Sequence, residues 1–271
     1  MISTFELEER GGLLLVRCRA LSRLPGIVHA FSTARADGGD GFDLGTAEST
    51  ESGVLFRRKR FLAAAGFLSA TAAIVRQVHG ARLVEAAATA PVPEADGVVW
   101  IQGDLSGRIP AVRTADCVPI LLADRQGRAA AAVHAGWRGT AAGIAAAGVR
   151  ALGDAGVAPG DLVAAMGPAI LACCYQVGPE VVEALTAAVP GPVAAEAVRP
   201  EGPGRARADL HAANRAQLAA AGVPEGAIHA APWCTRCRED LFHSYRRQGA
   251  AAGRMMSCVG PARGVGGEGD P

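Results

Sequence analysis

The stretch Ala130-Ala131-Ala132-Val133-His134-Ala135-Gly136-Trp137-Arg138-Gly139-Thr140 decides how this chain folds. Its first half is short, apolar and bounded by glycine, so residues 130–134 read as a buried strand despite the alanines. Gly136 and Gly139 break that strand, and Thr140 is expected to cap a helix over residues 141–152. Towards the N-terminus, residues 98–101, 111–113 and 118–123 are apolar runs bounded by Gly, Asp and Pro, which also predict sheet. Residues 74–79 alternate and run into Gly80, with Leu83 and Val84 on a returning strand. A helix over 54–65 closed by Gly66 precedes them. Before it come short strands at 13–17 and 27–31 and a glycine-rich loop over 35–45.

Towards the C-terminus, residues 162–166 form a strand leading into Gly167-Pro168, and Pro179 opens a helix over 180–188. Residues 190–207 are rich in Pro, Gly and Ala and are expected to be a surface excursion. Asp209 is positioned to cap a helix to Ala221 that Gly222 ends; residues 228–231 and 254–259 complete the strands. Residues 260–271 are expected to be a disordered tail. Strands and helices alternate irregularly and no repeat is present, which predicts the α+β class, with a mixed sheet covered by helices in a single domain over residues 1–259.

Composition narrows the function. The chain has 271 residues, half of them hydrophobic and 20% charged, enough to bury a substantial core. A formal net charge of +1 removes the electrostatic reason to expect a nucleic-acid or membrane-surface partner. Lys59 is the only lysine, so nearly every cation is a guanidinium suited to phosphate or carboxylate, although codon bias explains most of them. The acidic start and the absence of a long apolar run predict a cytoplasmic protein, in which the seven cysteines are thiols, ligands or nucleophiles.

Three groups stand at strand ends or tight turns: His79 before Gly80, Cys117 after Asp116, and His134 ahead of Gly136. Two imidazoles and a thiolate suit zinc, and three protein ligands leave a fourth position for water or substrate, as catalytic sites do. A metal-free reading of the same residues is a cysteine hydrolase with Cys117 as nucleophile and His134 as base. Cys234 and Cys237 have Cys-X-X-Cys spacing, but the adjacent Cys173 and Cys174 make a poor complement, so these four are expected to be idle or buried thiols.

The segments Arg76-Gln77-Val78-His79-Gly80, Ala115-Asp116-Cys117-Val118-Pro119-Ile120-Leu121-Leu122 and His134-Ala135-Gly136-Trp137-Arg138-Gly139-Thr140 resemble the three signatures of the laccase-domain, or multicopper polyphenol oxidase, family. Later stretches agree: Cys173-Cys174-Tyr175-Gln176-Val177-Gly178, Asp209-Leu210, Cys234-Thr235, Phe242-His243-Ser244-Tyr245-Arg246-Arg247 and Gly253-Arg254. The resemblance implies an α/β sandwich, zinc held by His79, Cys117 and His134, and phosphorolysis of adenosine, inosine and methylthioadenosine, with adenosine deamination as a second activity. Purine nucleosides and phosphate would be its partners; oligomeric state is left open.

Arg138, Arg35 and Arg246 are the candidates to hold phosphate. Gln77 would read a base edge or support a ligand, and Asp116 would act as acid or base beside the metal. The chain departs from the family pattern at Asp43, where an Asn-Leu pair is usual, and at Ala169 and Leu171-Ala172, changes that bear on substrate preference. Copper could enter the same donor set, since it outcompetes zinc on affinity. The six histidines, however, include no His-X-His pair for a trinuclear cluster. A non-catalytic role in the cell envelope or in division is a third, less favoured reading.

Overall fold

Side chains along the alanine-rich strand face opposite ways in turn: Ala129, Ala131, Val133 and Ala135 join one apolar cluster, Ala130 and Ala132 another. A strand buried on both faces lies inside a layered structure, and the computed structural model, which describes residues 4–87, 92–189 and 193–262, has that form.

The N-terminal half contributes β1 (Phe5–Arg10), β2 (Leu13–Cys18), α1 (Arg19–Ser22), β3 (Ile27–Ala36), α2 (Ser52–Ala65), β4 (Thr71–Ala73), β5 (Leu83–Glu85), β6 (Gly97–Ile101), β7 (Arg108–Thr114), β8 (Val118–Asp124) and β9 (Ala129–Ala135). Then follow α3 (Trp137–Ala141), α4 (Ile144–Asp154), β10 (Leu162–Met166), β11 (Gln176–Val177), α5 (Pro179–Ala188) and α6 (Ala194–Ala197). The chain continues through β12 (Val198–Pro200), β13 (Ala206–Ala208), α7 (Leu210–Ala220), β14 (Ile228–Ala230), α8 (Tyr245–Gln248) and β15 (Met255–Pro261).

Two six-stranded mixed sheets result, ordered β1-β2-β3-β15-β7-β4 and β14-β10-β8-β9-β6-β5, beside a small sheet β11-β13-β12. The large sheets face each other across Phe31, Val112, Leu121, Ala130, Val163 and Val259. Helix α2 covers the outer face of the first sheet through Phe61 and Leu62, and α4 and α7 cover that of the second through Val149 and Leu218, with α5 packed against α3 and α6. The α+β class, with helices outside a sandwich of mixed sheets, follows from this layering. Small side chains let the layers approach closely. A Cβ on Gly148 of α4 would lie 3.0 Å from Leu122 and 3.1 Å from Val133.

Several expectations hold locally: Gly66 ends α2 at φ 117°, and Asp209 caps α7 by accepting the Ala212 N–H at 2.9 Å. Others are corrected. Residues 74–80 do not form a strand; apart from one bridge between Arg76 and Glu94 they are a loop, because their amides turn to a carboxylate and not to a ladder. Thr140 does not cap a helix. It lies buried within α3, accepting from the Asn214 amide at 3.0 Å, and Gly143 at φ 78° separates α3 from α4. The expected excursion over 190–207 contains α6, β12 and β13, which pair into the small sheet; residues 190–192 lie outside the described residues. The expected tail begins in strand β15, which reaches Pro261; residues 263–271 are also outside the described residues.

Candidate metal centre

Strand β7 belongs to the first sheet and β8 to the second, so residues 115–117 carry the chain across the end of the sandwich. Asp116 makes this turn at φ 95°, a conformation unfavourable for a side-chain-bearing residue by about 1–3 kcal/mol. Hydrogen bonds offset that cost. Its carboxylate accepts from Thr235 Oγ1 at 2.6 Å, Ser244 Oγ at 3.1 Å and the Arg246 N–H at 2.6 Å. With its oxygens so engaged, Asp116 fixes the turn, and it borders the same cavity as the donors. Cys117 follows immediately.

His134 stands near the end of β9, and its Nδ1 lies 2.9 Å from the carboxylate of Asp96, a fully buried residue just before β6. The same carboxylate accepts the backbone N–H groups of Val78, His79 and Gly80 at 3.2, 2.9 and 2.6 Å. These bonds hold His79 at φ 62°. Asp96 therefore places both imidazoles and leaves the other ring nitrogen of His134 for a ligand.

The ligand atoms of His79, Cys117 and His134 all lie within 4.8 Å of one another, and the two rings meet edge to face with centroids 4.9 Å apart. Gly136 makes room for them: a Cβ there would come 2.9 Å from Cys117 Sγ and 3.0 Å from His79 Cδ2. Burial alone would push the Cys117 thiol up, but His134 and His79 together bring it down to about 6. His134 moves the other way, to about 9, because the opposing effect of burial is outweighed by Cys117 and Asp96. A thiolate and two imidazoles converging in a glycine cradle are a donor set that fits zinc with one coordination position open.

These residues border a cavity of about 640 Å³, within the range of small-molecule sites. Asp116, Gln77, Arg138 and Arg246 also line it, but Arg35 does not. Arg35 borders a separate recess and donates to the Gly38 carbonyl at 3.0 Å, a local contact that corrects its expected place. Arg138 packs over the Trp137 ring at 4.3 Å and Arg246 over Tyr175 at 5.1 Å. In the cavity wall the Gln77 amide nitrogen donates to the Arg113 carbonyl at 2.8 Å and its oxygen accepts the Arg113 N–H at 2.9 Å.

Sequence reasoning missed Asp96, Arg113, Arg254 and Tyr175. Arg113 is a buried guanidinium in the cavity wall whose Nε and Nη1 have no partner among the described residues; burial and the nearby Arg58 lower it to about 10. The Gly253-Arg254 pair carried a signal that was assigned no role, and its neighbour Asp43 accepts the Arg254 N–H at 2.7 Å. For Asp96 no local pattern marks a ligand-holding carboxylate.

Residues 30–262 match the family described as Multi-copper polyphenol oxidoreductase laccase. The chain is 40% identical over 196 residues to Purine nucleoside phosphorylase YlmD of Geobacillus stearothermophilus, covering 68% of this chain and 70% of that protein. The crystal structure of that YlmD superposes with a TM-score of 0.83 over 96% of this chain and 99% of its own, at 32% identity. A purine nucleoside phosphorylase of Deinococcus radiodurans is 36% identical over 93% of this chain and 94% of its own. Adenosine deaminase RL5, from an unknown prokaryotic organism, is 43% identical over 60% of this chain and 62% of its own.

Proposed function

The chain belongs to the multi-copper polyphenol oxidoreductase laccase family, and from that premise we propose that it is a zinc-dependent purine nucleoside phosphorylase acting on adenosine, inosine and methylthioadenosine. The observation that carries this reading is the meeting of two imidazoles and an acidified thiol at the edge of a cavity lined by Arg76, Arg113, Arg138, Arg246 and Arg254. Relatives named as purine nucleoside phosphorylases support it.

Zinc held by His79, Cys117 and His134 would supply Lewis acidity beside the nucleoside. Guanidinium groups bind and orient phosphate, which would otherwise be strongly hydrated, so that one oxygen faces the ribose carbon bearing the base. That oxygen forms the new C–O bond as the C–N bond to the purine breaks, leaving the base with the bonding electrons and the sugar as its 1-phosphate. Fixed cations and dipoles around the purine stabilise the charge that develops on it. Trp137 and Tyr175 offer aromatic faces in the cavity wall. Asp96 sets the imidazole positions, Asp116 sets the turn before Cys117, and Gln77 holds Arg113. Adenosine deamination is the secondary activity, supported by the relative named for it.

The test is incubation with inosine, with and without phosphate. Hypoxanthine and ribose 1-phosphate are expected only when phosphate is present; base release that ignores phosphate would end the proposal. One observation favours a second reading, a cysteine hydrolase: His134 lies between Cys117 and the Asp96 carboxylate, an order that also serves to activate a nucleophile. Activity that survives zinc removal and disappears on thiol alkylation would select it. Copper polyphenol oxidation has no comparable support, because His29, His211 and His243, outside the site, are engaged elsewhere. His29 accepts the Cys18 N–H at 2.8 Å, and His211 and His243 meet carbonyls.

A further inference from the structure

Four of the remaining cysteines also come together. Cys173 and Cys174 lie in a tight turn in which the Cys174 and Tyr175 N–H groups both return to the Leu171 carbonyl, at 2.9 and 3.0 Å. Cys234 is pinned opposite by a bridge to Ala169, with the Thr235 N–H on the Ala169 carbonyl at 2.9 Å, and the next turn brings Cys237 back. The sulfur atoms of Cys173, Cys174, Cys234 and Cys237 all lie within 4.8 Å of one another. Cys237 Sγ is 3.3 Å from that of Cys174 and 3.7 Å from that of Cys173. Four sulfurs about 2.3 Å from one zinc ion would sit roughly 3.8 Å apart. Adjacency of Cys173 and Cys174, which argued against pairing with Cys-X-X-Cys, is overcome because the turn directs both side chains to one side.

We propose that Cys173, Cys174, Cys234 and Cys237 hold a second zinc ion in a closed four-thiolate site. Polar surroundings suit thiolates: the Leu171 N–H donates to Cys234 Sγ and Arg236 Nη1 to Cys174 Sγ, each at 3.5 Å, and Arg207 holds the Cys173 carbonyl at 2.8 Å. Arg236 and Arg207 put positive charge beside a tetrathiolate whose own charge exceeds that of the ion. Soft sulfur donors in a tetrahedral set select zinc over hard cations. With four protein ligands the site has no open position, so its role is structural. It ties the loop carrying Ile170 and Tyr175, in the cavity wall, to the loop whose Thr235 holds Asp116. Cys173 and Cys237 are exposed, which leaves a route for the ion to enter.

Metal analysis of the whole protein purified under reducing conditions tests this. Wild type is expected to carry two zinc ions per chain, and Cys117→Ser and Cys237→Ser one each. Cys237 is exposed, so its replacement leaves the core intact. Cobalt-exchanged Cys117→Ser should show the intense sulfur-to-metal charge-transfer absorption of a multi-thiolate site, and lose it on the further change Cys237→Ser. Chelator should lower the unfolding temperature of Cys117→Ser but not of the double variant. Equal zinc in wild type and Cys237→Ser, or a zinc-free Cys117→Ser chain, would overturn the proposal. So would a disulfide between Cys174 and Cys237 in the reduced preparation. These counts are independent of nucleoside turnover, so failure of the proposed activity leaves them unaltered.

Discussion

At the scale of single residues, Asp96 and Gly136 make the proposed metal centre. Asp96 receives three consecutive amides of the His79 loop and holds the imidazole of His134, so one carboxylate organises two of the three donors. Asp96→Asn keeps the shape but weakens the hold on the His134 ring. It should reduce zinc affinity about 10–100-fold, read by competition with a chromogenic chelator; unchanged affinity would show that the ring needs no such partner. Gly136 has φ −74°, open to any residue, so only its space matters. Gly136→Ala drives a methyl into Cys117 and His79. It is expected to cut zinc occupancy severely while the zinc-free chain unfolds within about 1 kcal/mol of wild type in denaturant.

Elements hold one another through a few buried polar groups. Asn214 and Gln217 of α7 donate to the hydroxyl and carbonyl of Thr140 in α3, at 3.0 and 2.7 Å, locking the helix after His134 against its neighbour. Thr140→Val removes one acceptor, and equilibrium unfolding should reveal a loss of about 1 kcal/mol. Between β2 and β3, His29 is buried and neutral, accepting the Cys18 N–H, and burial together with Arg17 lowers it to about 3. An unfolded histidine titrates near 6.5, so the unfolded chain binds this proton first as the pH falls. The contribution of His29 is whole above about 6.5 and is lost down to about 3, at up to about 1.4 kcal/mol per pH unit. Stability from this group should therefore drop by about 2 kcal/mol from pH 7 to pH 5. His29→Gln should flatten that slope in denaturant titrations, and an unaltered slope would assign the acid sensitivity to other groups.

Across the whole molecule the cavity sits where the chain passes between the two large sheets, so the proposed metal links elements of both. His79 follows β4 of the first sheet, His134 lies near the end of β9 of the second, and Cys117 occupies the crossing from β7 to β8. An ion bound only by the folded arrangement stabilises it by mass action, about 4 kcal/mol when free zinc is a thousandfold above its dissociation constant. Chelation should thus lower the unfolding temperature of Cys237→Ser, which keeps only this centre, as measured by calorimetry, and added zinc should restore it. An unfolding temperature indifferent to both would mean that the sheets do not depend on the ion.

Local information carried part of this far. The apolar runs at 118–123, 130–134 and 162–166, the αL glycine after α2 and the Asp209 cap were legible because each rests on contacts within a few residues of chain. The donors His79, Cys117 and His134 were nominated by residue type, by their places at strand ends and turns, and by signature segments. What tertiary structure alone decided is who meets whom. The crossing from β7 to β8, the carboxylate behind His134, the removal of Arg35 from the cavity and the meeting of the four other cysteines all join segments distant along the chain. Periodicity and capping record the nearest neighbours of each residue; burial of an Asp96 or convergence of two cysteine pairs depends on how separate layers pack, which leaves no mark on the residues immediately around them.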